Sequence, residues 1–334
     1  MGMSPLPTDM AAVESLLIAA TDQGQPFDVR PLIQHLISSG GKRLRPRLVL
    51  LSTYASRDDR SEGSAGERAR KAAAVVELLH AGTLYHDDVL DEAHERRGVV
   101  SANAKWSNDL AVFGGDHLLA LASEIASDLG QWQATQLAQT LLALCDGQIT
   151  ETIEQFDPRR TEAQYMRSIE GKTAALFATS CALGADEGSN GDKTMVDYLS
   201  AFGRNLGLSF QIVDDILDLI GTFDSIGKPV GLDVVNGVYT LPVIYGLTRG
   251  VELEDLIDES EGTPCLSREG VALLRSCSAL EDAMDRAWML WSDARRSLID
   301  HLDLSVEVIE PLFEIGETLL KSANGLLNHN AGQE

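Results

Sequence analysis

Asp87, Asp88 and Asp91, in the run Asp-Asp-Val-Leu-Asp, are matched 127 residues later by Asp214, Asp215 and Asp218 in Asp-Asp-Ile-Leu-Asp. Each run lies among apolar residues at helical spacing, so its first and last carboxylates stand at i and i+4 and share a helix face. Like charges about 4 Å apart repel by roughly 4 kcal/mol at an effective dielectric of about 20, and six carboxylates around one space multiply that cost. A positive ion must therefore fill the gap. Oxygen-only ligands select hard cations, and Mg2+ takes a few carboxylates and completes its shell with water and substrate phosphate. Two such faces turned toward each other would make a metal cage for a phosphate or diphosphate. The competing reading is a solvated acidic helix face, which suits a single copy better than two copies embedded in apolar sequence.

Positive residues cluster in a chain where they are scarce. Gly40-Gly41-Lys42-Arg43-Leu44-Arg45-Pro46 offers a flexible turn followed by Lys42 and Arg45 at i and i+3, which on one helical face would suit a diphosphate. His80 precedes Asp87 by seven residues, about two helical turns, and so shares the face of the first motif. Arg96-Arg97-Gly98 begins five residues after Asp91, which puts two guanidinium groups at the mouth of the same cleft. Lys172-Thr173 and Lys228 add cations for the opposite wall. Taken singly, these segments also read as a solvated helix start, a helix C-terminus using its cations against the dipole, and a core histidine. Their joint occurrence around two acidic motifs favours the binding site.

The elements that must hold these residues are helices. Proline is absent from 47 to 157 and from 159 to 228, and apolar residues recur at i, i+3 and i+4 through both tracts. Ala72, Val75, Val76, Leu79, Leu84 and Leu90 form one stripe running into the first motif. A second stripe, Phe202, Leu206, Leu208, Ile212, Val213, Ile216 and Leu217, runs into the second. Strand-like alternation is hard to find. Breakers at Gly40-Gly41, Arg57 to Gly66, Arg97-Gly98, Gly130, Asp157-Pro158, Gly184 to Asp192, Gly221 to Gly237 and Glu259 to Pro264 divide the chain into about a dozen helices. The 221–237 stretch follows the second motif, where a binding loop is expected, and residues 1–7 and 329–334 read as frayed ends. With 334 residues, 44% of them hydrophobic, and no composition break, the chain predicts a single all-α domain over 1–334.

Charge excludes several classes of partner. Lys+Arg number 27 against 51 Asp+Glu, a net −24, which argues against nucleic acid and anionic membrane surfaces. The first basic residue is Arg30, and no apolar run approaches a membrane span, so neither a secretory signal nor a transmembrane segment is expected and the reading is cytoplasmic. Cys145, Cys181, Cys265 and Cys277 are scattered without zinc-ligand spacing.

From about Gly40 to Pro242 the chain resembles the trans-isoprenyl diphosphate synthases. The resemblance is carried, in order, by GGKRLRP, VELLHAGTLYHDDVLDE, RRG, GGDHLLA from Gly114, KTAALFA from Lys172, FQIVDDILD from Phe210, GKPVGLD and TLP ending at Pro242. It implies an isoprenoid-synthase-type helical bundle around a central cleft, in which Asp87, Asp88, Asp91, Asp214, Asp215 and Asp218 hold three Mg2+. It further implies isopentenyl diphosphate on Lys42, Arg45, His80 and Arg97, and an allylic diphosphate facing Arg96, Lys172, Thr173, Gln211 and Lys228, with Lys172, Thr173 and Arg96 aiding catalysis. The reaction implied is ionisation of the allylic C–O bond, attack by the alkene of isopentenyl diphosphate, and loss of a proton, with apolar walls excluding water. Val238 stands where many members carry lysine, and Gln148 where a glutamate is common.

Product length should depend on residues beneath the first motif. Gly82 and Thr83 lie about one turn below Asp87, and one helical pitch of ~5.4 Å is roughly one isoprene unit. Gly82 cannot plug a tunnel as a bulky aromatic would, so the growing chain is expected to reach Leu79 and Val76 and to exceed about fifteen carbons. Ala104 to Asn108 also resembles medium- and long-chain members. A terpene cyclase shares the implied fold but has no need of Lys42, Arg45, His80 and Arg97; a catalytic subunit of a heteromeric synthase is the other alternative. A homodimer is expected from the resemblance.

Overall fold

The Pro-free tract after Pro46 folds as its apolar spacing predicts, into long helices that carry the first motif and its packing partner. In the computed structural model α1 spans Leu6–Thr21, α2 Arg30–Ile33, α3 His35–Ser38, α4 Leu44–Ala55, α5 Glu67–Leu90, α6 Ala102–Lys105, α7 Asn108–Leu129 and α8 Gln131–Ile153. There follow α9 Glu162–Ile169, a π-helical turn Glu170–Ala174, α10 Ala175–Ser189 and α11 Lys193–Ile220. The chain then forms α12 Leu232–Val235, α13 Leu241–Thr248, α14 Leu253–Leu256, α15 Arg268–Ser276, α16 Ala279–His301 and α17 Val306–Asn330. The structure describes residues 5–22, 29–57, 64–221, 231–258, 265–302, 304 and 306–330. The fold is all-α. Two small antiparallel hairpins, β1 Glu95–Arg96 with β2 Val99–Val100 and β3 Ile257–Asp258 with β4 Cys265–Leu266, are the strands among the described residues. No helix of the described residues is long and apolar enough to cross a membrane.

The chain groups into two compact units, each discontinuous in sequence: Met1–Leu141 with Leu176–Gly203 and Leu302–Ile309, and Leu142–Ala175 with Arg204–His301 and Glu310–Glu334. In the first unit α5 lies close along α7, because glycines on each helix remove the side chains that would hold them apart. A Cβ at Gly82 would meet Leu119 Cδ2 at 2.9 Å and Gly115 O at 3.0 Å; one at Gly115 would meet His86 Nε2 at 2.4 Å and Gly82 O at 2.9 Å. The N-terminal helix is fastened to α4 and the start of α5 by Asp9, a fully buried carboxylate on α1. It accepts hydrogen bonds from Tyr54 Oη (2.5 Å), Ser64 Oγ (2.5 Å), Ala65 N (2.5 Å) and Arg70 Nε (2.8 Å).

The second unit uses the same device elsewhere. A Cβ at Gly147 of α8 would lie 2.3 Å from Lys172 N, and one at Gly171 2.5 Å from Ala143 O, so the π-helical turn is pressed against α8. Ser209 Oγ on α11 donates to Ala287 O on α16 at 3.0 Å, and the Trp291 ring of α16 packs edge-on to Phe313 of α17.

Three expectations about boundaries are corrected. Gly184 to Asp192 is not a break as a whole, since α10 continues to Ser189. Gly184 and Gly188 are packing glycines: their Cβ atoms would fall 2.1 Å from Val49 O and 2.4 Å from Thr53 O of α4. The termini are helical further out than the expected fraying at 1–7 and 329–334, with α1 starting at Leu6, favoured by Pro in its first turn, and α17 ending at Asn330. Finally, Lys42 and Arg45 do not share a helical face. The helix starts only at Leu44, because Arg43 takes a left-handed conformation (φ 46°) as its N-cap.

Candidate active site

The first acidic motif closes α5. Toward the end of this helix the half-exposed residues include His80, Thr83, Leu84 and Asp87, which share one face as a stripe at i, i+3, i+4 and i+7, and Asp91 is exposed at the C-cap. Gly82 is off that stripe, turned to Leu119 of α7, while Leu79 and Val76 below it are packed at 1% and 0% exposure. Asp88 points inward and is fully buried. Its Oδ1 accepts Arg96 Nε at 2.6 Å, and its Oδ2 is buried without a partner. Burial holds the Asp88 carboxyl above its ordinary range, and the Arg96 charge offsets part of that rise.

Arg96 and Arg97 are delivered by the hairpin. Its two-residue turn requires positive φ at both central positions, and Arg97 (φ 54°) and Gly98 (φ 75°) supply it, an uncommon conformation for an arginine. That turn aims the Arg97 guanidinium back at the chain: Nη1 donates to Leu36 O (3.1 Å) and Gly40 O (2.8 Å), and Nη2 reaches Glu77 Oε1 at 3.4 Å. Gly41 allows this approach, since its Cβ would lie 3.3 Å from Arg97 Cζ.

Glu77, 1% exposed on α5, is the acidic centre of this cationic group. Its Oε1 also accepts Arg43 Nη1 at 2.6 Å, while Arg43 holds Glu14 Oε1 (2.7 Å) and Ile37 O (2.5 Å) with its other nitrogens. Arg43 is thus a structural residue within GGKRLRP. Arg45 is different. Its guanidinium stacks 5.1 Å from the Phe177 ring, and its Nε is buried with no hydrogen-bond partner. Burial lowers Arg45 to about 10, partly opposed by Glu77. Burial, then the charges of Arg45, Arg97, Arg96 and Arg43, push the His80 imidazole well below 6.5 and keep it neutral at physiological pH. Lys42 is exposed.

The second motif, on α11, is arranged similarly within the other unit. Asp214 is exposed, whereas Asp215 and Asp218 are buried. Both Asp215 oxygens are engaged: Oδ2 accepts Tyr165 Oη at 2.5 Å and Oδ1 accepts Gln211 Nε2 at 2.8 Å. Burial and neighbouring Asp233 raise the Asp215 carboxyl well above the usual carboxylate range. Asp218 O accepts Gly231 N (2.7 Å) and Asp218 Oδ2 accepts Asp233 N (3.5 Å), which ties the motif to the start of α12. Thr173 Oγ1 donates to Gln211 Oε1 at 2.6 Å, so Thr173, Gln211, Asp215 and Tyr165 form one chain of hydrogen bonds. Lys172 Nζ contacts Glu151 Oε1 at 2.6 Å. Both Lys172 and Thr173 stand in the π-helical turn, a distortion that recurs at functional sites. Lys228 lies outside the described residues. Val238 is half-buried beside this wall, its N bonded to Asp233 O at 2.8 Å, and Gln148 is half-buried on α8.

Among the described residues, no three His, Cys, Asp or Glu side chains already converge as a metal site. The donor set nevertheless suits a hard cation: the exposed Asp91 and Asp214 and the half-exposed Asp87 offer carboxylate oxygens only. Sequence reasoning missed Glu77, Tyr165, Glu151 and Asp233. The signals were available: Glu77 is three residues before His80, Tyr165 seven before Lys172, and Asp233 ends GKPVGLD.

Comparison with known proteins identifies the family. The family model described as polyprenyl synthetase matches residues 28–264. Over 247 residues, 73% of this chain and 74% of the relative, the chain is 41% identical to heptaprenyl diphosphate synthase component 2 of Geobacillus stearothermophilus. It is 36% identical to nonaprenyl diphosphate synthase of Mycobacterium tuberculosis, covering 86% of this chain and 85% of that one. Among solved structures, a polyprenyl synthase from Caulobacter crescentus complexed with calcium and isoprenyl diphosphate superposes with a TM-score of 0.83 at 29% identity, covering 96% and 99% of the two chains.

Proposed function

Because the chain belongs to the polyprenyl synthetase family, whose members are transferases, we propose that it condenses isopentenyl diphosphate with an allylic diphosphate to make an all-trans polyprenyl diphosphate longer than about fifteen carbons. The observation that carries this reading is the cationic group around Glu77. Arg45 Nε is buried and unpartnered, Arg97 is fixed beside it by its left-handed turn, and neutral His80 stands on the same open stripe as Asp87. A cyclase, which takes one diphosphate, has no use for a second anion site separate from its acidic motif. Carboxylates and guanidiniums in separate clusters suit two diphosphates, one brought with metal and one without.

Asp87, Asp91, Asp214 and Asp218 would hold the divalent metal, taken as Mg2+, with Asp88 and Asp215 bracing the helix ends through Arg96, Tyr165 and Gln211. Bound there, the metal supplies positive charge that stabilises a departing diphosphate. Lys172, Thr173 and Arg96 add fixed donors for the allylic diphosphate, while Arg45, Arg97 and Lys42 bind the homoallylic one. His80, unprotonated, orients it through a neutral hydrogen bond. Thr83 and Leu84, on the stripe below Asp87, would meet the first isoprene units of the growing chain. Gly82 would act there only indirectly, by letting Leu119 close over α5.

A homodimer is proposed on the strength of Leu110, Val112 and Phe113 of α7, which are exposed, Phe113 at 68%. The name component 2 borne by a relative favours one alternative, a catalytic subunit that needs a partner. Incubating the purified chain with labelled isopentenyl diphosphate, an allylic primer and Mg2+ tests the proposal. Label in an extended polyprenyl diphosphate supports it; consumption of the primer without label supports a cyclase, and activity only on adding a second protein supports the heteromer.

A further inference from the structure

Tyr165 belongs to none of the motifs that carry the family resemblance, yet it makes the hydrogen bond on which the second acidic motif is built. Its ring is 1% exposed, and its hydroxyl donates to Asp215 Oδ2 at 2.5 Å. The ring cannot swing away. Its helix α9 starts with a reciprocal capping box, Thr161 with Gln164, and Gln164 Nε2 also donates to Glu154 Oε1 at 3.1 Å. The Arg160 guanidinium lies 5.6 Å from the ring centroid and is itself held by Glu154 Oε2 (3.0 Å) and Tyr239 O (2.9 Å). On the opposite oxygen of Asp215 the Gln211 amide is oriented by Thr173, which fixes its carbonyl away from the carboxylate and its NH2 toward it.

We propose that Tyr165 is a positioning residue for the metal–diphosphate site: with Gln211 it clamps Asp215 in one orientation and so fixes the helical register at which Asp214 and Asp218 are presented. The inference rests on the synthase reading above and adds a residue to it. Asp215 sits between Asp214 and Asp218 on α11, so rotation of the helix at this point would move both neighbours. A buried carboxylate that loses one of two donors is left with an unsatisfied oxygen and has reason to move.

The test is thermal shift with Mg2+ and inorganic diphosphate, read as the Mg2+ concentration that gives half the maximal rise in Tm. Tyr165→Phe keeps the ring and its contact with Arg160 and deletes only the hydroxyl. It should raise that midpoint by about tenfold, the scale of one intramolecular hydrogen bond, while KM for isopentenyl diphosphate stays within about twofold. Gln211→Met, which removes the other donor, should shift the midpoint in the same direction, and the double variant should shift it by less than the product of the two. If Tyr165→Phe fails to fold, the Gln211→Met shift carries the test. A wild-type midpoint in the folded variants overturns the assignment alone. A wild-type protein that does not respond to Mg2+ and diphosphate overturns the synthase reading and this inference with it.

Discussion

Replacing Thr83 with phenylalanine should shorten the product, whereas the same change at Gly82 should first damage the fold. Both residues precede Asp87 by about one turn, yet they occupy different surroundings. Thr83 is half-exposed on the stripe that holds His80, Leu84 and Asp87, and its hydroxyl is satisfied locally by His80 O at 2.9 Å. At a rise of about 1.5 Å per residue its Cα lies roughly 6 Å below that of Asp87, about one isoprene unit. A phenyl ring there should stop growth at about fifteen carbons or fewer. Gly82 faces α7, and even a methyl group would press on Leu119 Cδ2 at 2.9 Å and on Gly115 O at 3.0 Å. The first can rotate away, but the second is backbone, so a phenyl ring must push the helices apart. Overpacking of this kind costs about 1–3 kcal/mol or more, which lowers Tm by roughly 2–4 °C per kcal/mol in a chain of about 200 residues and by less in a longer one. Products sized by reversed-phase chromatography and melting curves for both variants separate the two effects. A Thr83→Phe enzyme that melts normally and makes the wild-type product would refute the placement of the growing chain on this stripe.

Asp9→Asn should destabilise the first unit by about 1–3 kcal/mol at pH 7, measured by chemical denaturation. Burial works to raise the Asp9 carboxyl, but hydrogen bonds from Ser64, Tyr54, Ala65 N and Arg70 outweigh it and leave it lowered. Its contribution is therefore full above the unfolded value of 3.8 and lost as pH falls through the folded one, so the deficit of the variant should shrink in acid. For His80, whose folded value is depressed below 6.5, stability should fall as pH drops below 6.5 because only the unfolded imidazole takes a proton; pH–rate profiles should show no inflection lost in His80→Gln near pH 6.5. Arg45→Gln should raise KM for isopentenyl diphosphate about tenfold or more and leave the KM of the allylic primer unchanged. Equal effects on both would contradict the assignment of Arg45 to one subsite.

How far the site could be read from sequence depended on whether a residue's role was local. The aspartate motifs were legible because i, i+4 spacing needs only a helix, and α5 and α11 are helices. The basic residues were legible as a set but not individually. GGKRLRP offered three cations, and nothing in the string says that Arg43 caps a helix in a left-handed conformation and pairs with Glu77 and Glu14, leaving Arg45 with the unpartnered nitrogen. Glycines misled for the same reason. Gly184 and Gly188 look like breakers in sequence, but their function is contact with Val49 O and Thr53 O, residues more than 130 positions away. Tyr165 was invisible because its partner, Asp215, is 50 residues on, and no local pattern announces a tyrosine whose hydroxyl is buried against a carboxylate.

The central claim is that two diphosphates meet on this chain and are joined. Its most direct measurement is product analysis after the purified protein is incubated with Mg2+, labelled isopentenyl diphosphate and farnesyl diphosphate, beside Asp87→Ala and Asp214→Ala proteins whose helical content is unchanged. The wild-type protein should yield a labelled polyprenyl diphosphate longer than the primer, and neither variant should. Full product from either variant, or a primer consumed by the wild type without incorporation of label, would contradict the account.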